Sequence, residues 1–229
     1  MTKYTEIIYP QDDNNTYPKQ FCDYIYNRFF KDGGDSLKIL DIGCNKGTNL
    51  KHFAKNGMEC YGVDLRVEGV DFDFRECNLE NEDIPYPDNS FDFVYSKSVL
   101  EHVFNTENFL KNALRVLKPG GLFVALTPDW KSQHEYFWDD YTHVKPFTRK
   151  SLRDAMLIND FEDADCEFFY QLPFVWDKPW LEIVPKVVSL LPDFLKWKDR
   201  DQRNTKDRKL IRFSKEKMLL AYGRKKCQD

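Results

Sequence analysis

The strongest constraint on this chain is an alternation. Short apolar runs, each long enough for one strand, take turns with stretches whose apolar residues recur at helical spacing. The runs at 37–42, 60–65, 72–77, 91–96 and 121–127 read as strands, and those at 161–170 and 217–224 as two final ones. The stretches 46–56, 106–117 and 148–158 read as helices. Gly57 closes the first of these. Asn105 or Thr106 caps the second, and Lys118-Pro119-Gly120-Gly121 stops it. Parallel neighbours need a crossover, usually a helix, so this order predicts an α/β chain with a mostly parallel sheet covered on both faces.

Before the first strand, residues 1–16 are polar and read as an arm. From Tyr17 a stripe of Phe21, Tyr24, Ile25, Arg28 and Phe29 begins at helical spacing, with Pro18 in its first turn and Asp32-Gly33-Gly34-Asp35 as its stop. Two segments break the alternation. Residues 128–147 are rich in Trp, Tyr, His and Asp, and residues 171–213 hold an apolar run followed by charges. Long connections in a compact domain are most often lids or binding loops. The predicted organisation is one domain over 1–229, with 1–36 as N-terminal arm and helix and with 128–147 and 171–213 as insertions forming lid or substrate-binding elements.

The formal net charge is −4, which argues against a dedicated nucleic-acid binder. The sum hides an asymmetry, because residues 196–229 carry 13 Lys+Arg against 5 Asp+Glu. An acidic body therefore carries a basic stretch near its end. The 6 cysteines stand singly, with no Cys-x-x-Cys pair, so neither a zinc site nor a redox motif is signalled. No apolar run approaches the ~20 residues of a membrane span, and the first residues lack the apolar stretch of a signal peptide. A reduced, cytoplasmic location is the expectation. Peripheral association through the run 180–195 stays open, and oligomeric state is not encoded legibly.

The first strand runs into Asp41-Ile42-Gly43-Cys44-Asn45-Lys46-Gly47 and then a helix. A glycine turn there lets a ligand approach the backbone and the helix N-terminus. The spacing is not that of a dinucleotide fingerprint, and no hydride-transfer constellation is present, which disfavours a nicotinamide dehydrogenase. Asp41, at the strand end, suits a cationic ligand group. Asp64, at the end of the second strand, suits ribose hydroxyls.

In these residues the chain resembles the class I S-adenosylmethionine-dependent methyltransferases, of the small-molecule type. ILDIGCNKG matches their hydrophobic strand, acid and three-glycine turn, with Asn45 in place of the middle glycine. Asn tolerates positive φ better than other residues with a side chain, so the turn survives. The segment from Asn78-Leu79-Glu80 to Asp92 resembles the one flanking the adenine, with Asn78 replacing the usual acid. Ser96 matches the position whose carbonyl faces the methionine part, and LKPGGLFVALTP matches the segment around the fifth strand. The resemblance covers about 37–128. It implies a Rossmann-like three-layer sandwich, a seven-stranded mostly parallel sheet with an antiparallel last strand, and S-adenosyl-L-methionine as cofactor, with S-adenosyl-L-homocysteine as product. The cofactor-binding residues it implies are Asp41, Gly43, Cys44, Asn45, Gly47, Asp64, Leu65, Asn78, Leu79 and Ser96.

Methyl transfer from a sulfonium needs alignment and exclusion of water, and a hydroxyl acceptor gains from a general base. Of the four histidines, His143 is the first choice of base and His102, beside the expected methionine end, the second. The plainer readings are a tie from loop to sheet and a cap. His52 reads as a packing or solvated residue. His134 shares the aromatic connection with His143. Trp138, Asp139, Asp140 and Tyr141 are the substrate-binding candidates, against a packed loop and a solvated turn. No metal is assigned, since no third ligand joins Asp139 and Asp140. The reading is methyl transfer to a small-molecule acceptor, at oxygen, on a sugar or acidic metabolite. One alternative is an RNA or protein methyltransferase docking through the basic stretch. The other is a non-catalytic S-adenosylmethionine-binding module.

Overall fold

The computed structural model describes residues 16–31, 36–66, 72–196 and 208–227. The expected arm, the stop at 32–35 and Lys206 in the basic stretch therefore lie outside the described residues.

Seven strands form one sheet: β1 Lys38–Ile42, β2 Glu59–Asp64, β3 Asp73–Glu76, β4 Phe91–Lys97, β5 Leu117–Pro128, β6 Glu162–Phe169 and β7 Met218–Arg224. Their order is β3-β2-β1-β4-β5-β7-β6. Pairing is parallel from β3 through β5. Strand β7 slots between β5 and β6 and is antiparallel to both. The connection from β5 to β6 passes over the place that β7 then fills.

Side chains alternate along each strand and feed two cores. On one face Leu40, Ile42, Val94, Phe123 and Ala125 pack with helix α3 (Thr106–Val116) and helix α5 (Arg149–Ile158). On the other face Ile39, Phe93, Tyr95 and Val124 pack with helix α1 (Tyr17–Ile25) and helix α2 (Thr48–Lys55). This is the three-layer sandwich. Phe21, Phe30, Phe53 and Tyr95 are fully buried there, so much of the aromatic content is core. Burying one such ring contributes about 1.5–3 kcal/mol.

The caps follow the sequence. Asn105 accepts from Asn108 N at 3.1 Å, and Thr148 forms a reciprocal capping box with Ser151. Two elements differ from expectation. Helix α1 runs on into a π-helical turn, Tyr26–Phe30, that swings Phe30 into the core. Strand β5 begins at Leu117 rather than 121. Leu117 pairs with Phe91, and the register then slips so that Leu122 pairs with Phe93. The Lys118–Gly121 stretch ends the helix as expected, yet also forms the bulge that resets the strand.

The insertion 171–213 folds into short pieces: α6 (Pro173–Trp176), α7 (Ile183–Val188) and α8 (Lys209–Lys215), with single 3₁₀ turns between α6 and α7 and after α7. A further short helix, α4 (Trp130–Gln133), lies in 128–147. No described helix is long and apolar enough to cross a membrane.

Candidate active site

The carboxyl ends of β1, β2 and β4 meet at the turn after β1. Gly43 (φ +80°), Asn45 (φ +47°) and Gly47 (φ +68°) all take the left-handed conformation. Asn45 thus adopts the backbone of the glycine it replaces. Its amide is fixed by Asp64, whose Oδ2 accepts from Asn45 N at 2.8 Å while Oδ1 accepts from Leu65 N at 2.7 Å. The Arg66 amide is a third backbone donor to this carboxylate, whose about four acceptor sites still leave room for a ligand hydroxyl. A Cβ on Gly43 would stand 2.2 Å from Val99 Cγ2, so this position admits no side chain. Gly43 N and Cys44 N share the Val63 carbonyl, which ties the turn to β2.

Asp41 is 2% exposed, and among the described residues no donor reaches its carboxylate. Burial, reinforced by the nearby Asp64 charge and opposed by Lys97, pushes its pKa up to about 8. An orphaned buried carboxylate at the end of a strand is a socket for a cation. Burial also raises Asp64, although its backbone hydrogen bonds work against the shift.

The other predicted positions differ in what they offer. Cys44 is buried, its amide donates to the Val63 carbonyl, and its Sγ packs beside Gly62. Leu65 is exposed beside Asp64. Asn78 folds back, its Oδ1 accepting from Glu80 N at 3.1 Å, and Leu79 belongs to the core. Ser96 Oγ donates to the Ile42 carbonyl at 2.9 Å and locks β4 to β1.

Next to this turn the chain gathers a second group. His102, in the 3₁₀ turn after β4, and His143, from the 128–147 connection, stand with ring centroids 4.8 Å apart. The connection is pinned because Val144 N and Lys145 N both donate to the Glu101 carbonyl. His143 Nδ1 lies 2.6 Å from the Phe137 carbonyl, so it carries the proton. Thr142 Oγ1 lies 2.9 Å from His102 Nδ1 but donates its own proton to Asp140 Oδ1 at 2.7 Å. His102 Nδ1 is therefore also a donor. In His143 the Phe137 carbonyl thereby leaves Nε2 as the proton-accepting ring nitrogen. Burial and the neighbouring His143 lower the His102 pKa, and burial pushes Glu101 up to about 7.

Sequence reasoning singled out both histidines but missed Glu101, whose carboxylate accepts from Thr127 Oγ1 at 2.9 Å at the end of β5. Glu101, His102 and His143 each offer a ligand atom within 4.8 Å of the others, a set able to hold a divalent ion. Sequence spacing could not show this, because the third ligand comes from a distant segment. Of the substrate candidates, Asp140 orients Thr142 and lies 3.9 Å from His143 Nε2. Trp138 and Tyr141 are 53% and 83% exposed, whereas Phe137 beside them is buried. His52 lies on α2, partly buried, and His134 is exposed on the connection.

A three-layer sandwich with this strand order, and with a glycine turn and the carboxylates of Asp41 and Asp64 at the carboxyl edge of its sheet, defines a Rossmann-like class I methyltransferase scaffold. The chain belongs to the methyltransferase domain family, whose model matches residues 14–165, and S-adenosylmethionine is the cofactor of that class. It is 34% identical over 96 residues to a demethylmenaquinone methyltransferase of Tropheryma whipplei (strain Twist), covering 38% of this chain and 40% of that protein. It is likewise 34% identical over 110 residues to a ubiquinone biosynthesis O-methyltransferase of Bradyrhizobium sp. (strain ORS 278), covering 42% of each. The chain thus spans about two fifths of these curated relatives. Among solved structures, a SAM-dependent methyltransferase from Archaeoglobus fulgidus superposes with a TM-score of 0.64 at 18% identity, covering 98% of this chain and 99% of that one. A phosphoethanolamine N-methyltransferase of Haemonchus contortus, solved with S-adenosyl-L-methionine, gives 0.61 at 15% identity, covering 100% and 60%. The residues fit that cofactor: Asp41 is unpartnered, the cradle at Gly43 excludes a Cβ, and Asp64 keeps acceptor capacity.

Proposed function

We propose that this protein transfers the methyl group of S-adenosylmethionine to a hydroxyl of a small-molecule acceptor, a sugar or acidic metabolite, with His143 as general base and His102 beside it. The observation that carries this reading is the partly buried His143 imidazole, whose Nδ1 donates to the Phe137 carbonyl and so leaves Nε2 to accept a proton, with the His102 ring 4.8 Å away. When bound, the cofactor supplies an activated methyl. The chain's part is then to hold the acceptor oxygen in line, take its proton and exclude water. Asp64 and Leu65 border the adenosine half, and Asp41 takes the ammonium. Trp138, Asp139, Asp140 and Tyr141 border the acceptor, and the insertions 128–147 and 171–213 close over it as parts of one domain.

A lipophilic acceptor met at a membrane surface is the second reading. It is favoured by Trp180, Ile183, Leu190 and Phe194, which are 72%, 59%, 82% and 74% exposed, and by the basic Arg208 and Lys209 nearby in the insertion. Two relatives are named for ubiquinone biosynthesis and for demethylmenaquinone methylation, which supports it further.

The test is release of S-adenosylhomocysteine with sugar, acidic-metabolite, quinol, RNA and protein acceptors, by wild type, His143→Ala and His102→Ala, with and without EDTA. Turnover that falls on loss of His143 and survives EDTA supports the base. Loss of turnover with EDTA instead assigns a metal to the Glu101 cluster. Turnover only with RNA or protein would replace the small-molecule reading, and binding without any turnover would leave a non-catalytic module.

A further inference from the structure

Lys97 is the last residue of β4, one past Ser96. Its ammonium lies under α1, 4.5 Å from the Phe21 ring centroid and 5.2 Å from that of Tyr17. Among the described residues no carboxylate comes within ion-pair distance of it and no acceptor hydrogen-bonds it. The ring faces attract the cation but accept no conventional hydrogen bond from its three N–H groups. Burial accordingly lowers its pKa, with Cys22 and Asp41 pulling the other way.

Asp41 is the matching oddity. In the β1–β4 register it pairs with Tyr95, and Lys97 lies two residues further along β4. Strand periodicity puts both side chains on the sheet face covered by α1 and α2. A buried acid and a lysine thus stand on one face at one sheet edge. Each lacks a hydrogen-bond partner, and they are too far apart to pair with each other. An apolar filler would be more stable at either position. Such a couple is complementary to a zwitterion, whose cation seats against the acid and whose anion seats against the base.

We propose that Lys97 binds the α-carboxylate of the cofactor's amino-acid moiety, so that Asp41 and Lys97 grip its two charged groups and α1 roofs the site. This rests on the S-adenosylmethionine reading above. It makes the carboxylate a recognition element and Tyr17 and Phe21 the walls that keep the ammonium partly dry and strongly attracting.

The test is calorimetric binding of S-adenosylmethionine, decarboxylated S-adenosylmethionine and 5′-methylthioadenosine to wild type, Lys97→Met and Lys97→Arg. The wild type should prefer the carboxylated ligand by ten- to hundredfold. Lys97→Met should lose that preference, weakening S-adenosylmethionine while leaving the other two ligands within about twofold, and Lys97→Arg should recover part of it. If Lys97→Met weakens all three equally, Lys97 is a packing residue under α1 and the proposal fails. If it weakens none, the proposal also fails. If the wild type binds none of the three, the cofactor reading itself falls.

Discussion

Replacing Asp41 by Asn tests the site at its most strained point. The carboxyl is 2% exposed, without a donor, and its folded-state pKa is pushed to about 8 by burial and by Asp64. Its unfolded value is near 3.9. Between those values the folded state holds a proton the unfolded chain has released, so stability falls as pH rises through that window. Each pH unit in the window amounts to about 1.4 kcal/mol, which gives on the order of 3 kcal/mol between pH 5 and pH 8 once titration near the upper end is allowed for. Asn is neutral throughout. The stability gap of variant over wild type, measured by urea unfolding of the ligand-free protein, should be small at pH 5 and should widen to that size by pH 8. The same variant should bind S-adenosylhomocysteine about ten- to hundredfold more weakly, because a charge-assisted hydrogen bond contributes about 1.5–3 kcal/mol. A gap that does not change with pH, or a variant less stable at every pH, would refute the account of Asp41 as an uncompensated buried acid. Unchanged affinity would refute its role toward the ligand.

Four further outcomes follow from the geometry. Gly43→Ala places a Cβ 2.2 Å from Val99 Cγ2 at φ +80°, so the urea midpoint should fall by an amount equivalent to about 2 kcal/mol; an unchanged midpoint would mean the turn is not built this way. Asp64→Asn leaves too few acceptors for Asn45 N, Leu65 N and a ribose, so 5′-methylthioadenosine affinity should drop at least tenfold in calorimetry, and equal affinity counts against the ribose role. With an accepted substrate found, His143→Ala should lower kcat by about 10²–10⁴-fold with little change in KM, and wild-type turnover would remove it as base. Trp180→Ser with Phe194→Ser alters only exposed side chains, so the fold should persist by circular dichroism while flotation with phosphatidylglycerol vesicles is lost; undiminished flotation would exclude this surface.

Much of the cofactor half was legible because it is local. The strand runs, the Gly57 stop, the Thr148 cap and the Asp41–Gly47 turn each lie within a dozen residues and express a backbone or periodic rule. Asn45 shows how far this reaches: its tolerance of positive φ is a property of the residue, and the structure has it at +47°. The bulge at Lys118–Gly121 shows where it stops. Pro and Gly announce a break, but whether the chain turns or re-enters a strand depends on Phe91 and Phe93 across the sheet.

The sequence by itself determined the alternation, hence the layered parallel sheet, and the glycine turn with its two acids at the sheet edge. These follow from side-chain periodicity and φ preference, which neighbouring residues decide between themselves. Only the tertiary structure decided that β7 inserts between β5 and β6, that His143 comes to rest 4.8 Å from His102, and that the Lys97 ammonium lies against Tyr17 and Phe21 on the same face as Asp41. In each case the partners lie tens of residues apart. Their meeting is fixed by which faces the sheet buries and by strand register, so the charges and ring nitrogens acquire their chemistry only when the fold brings them together.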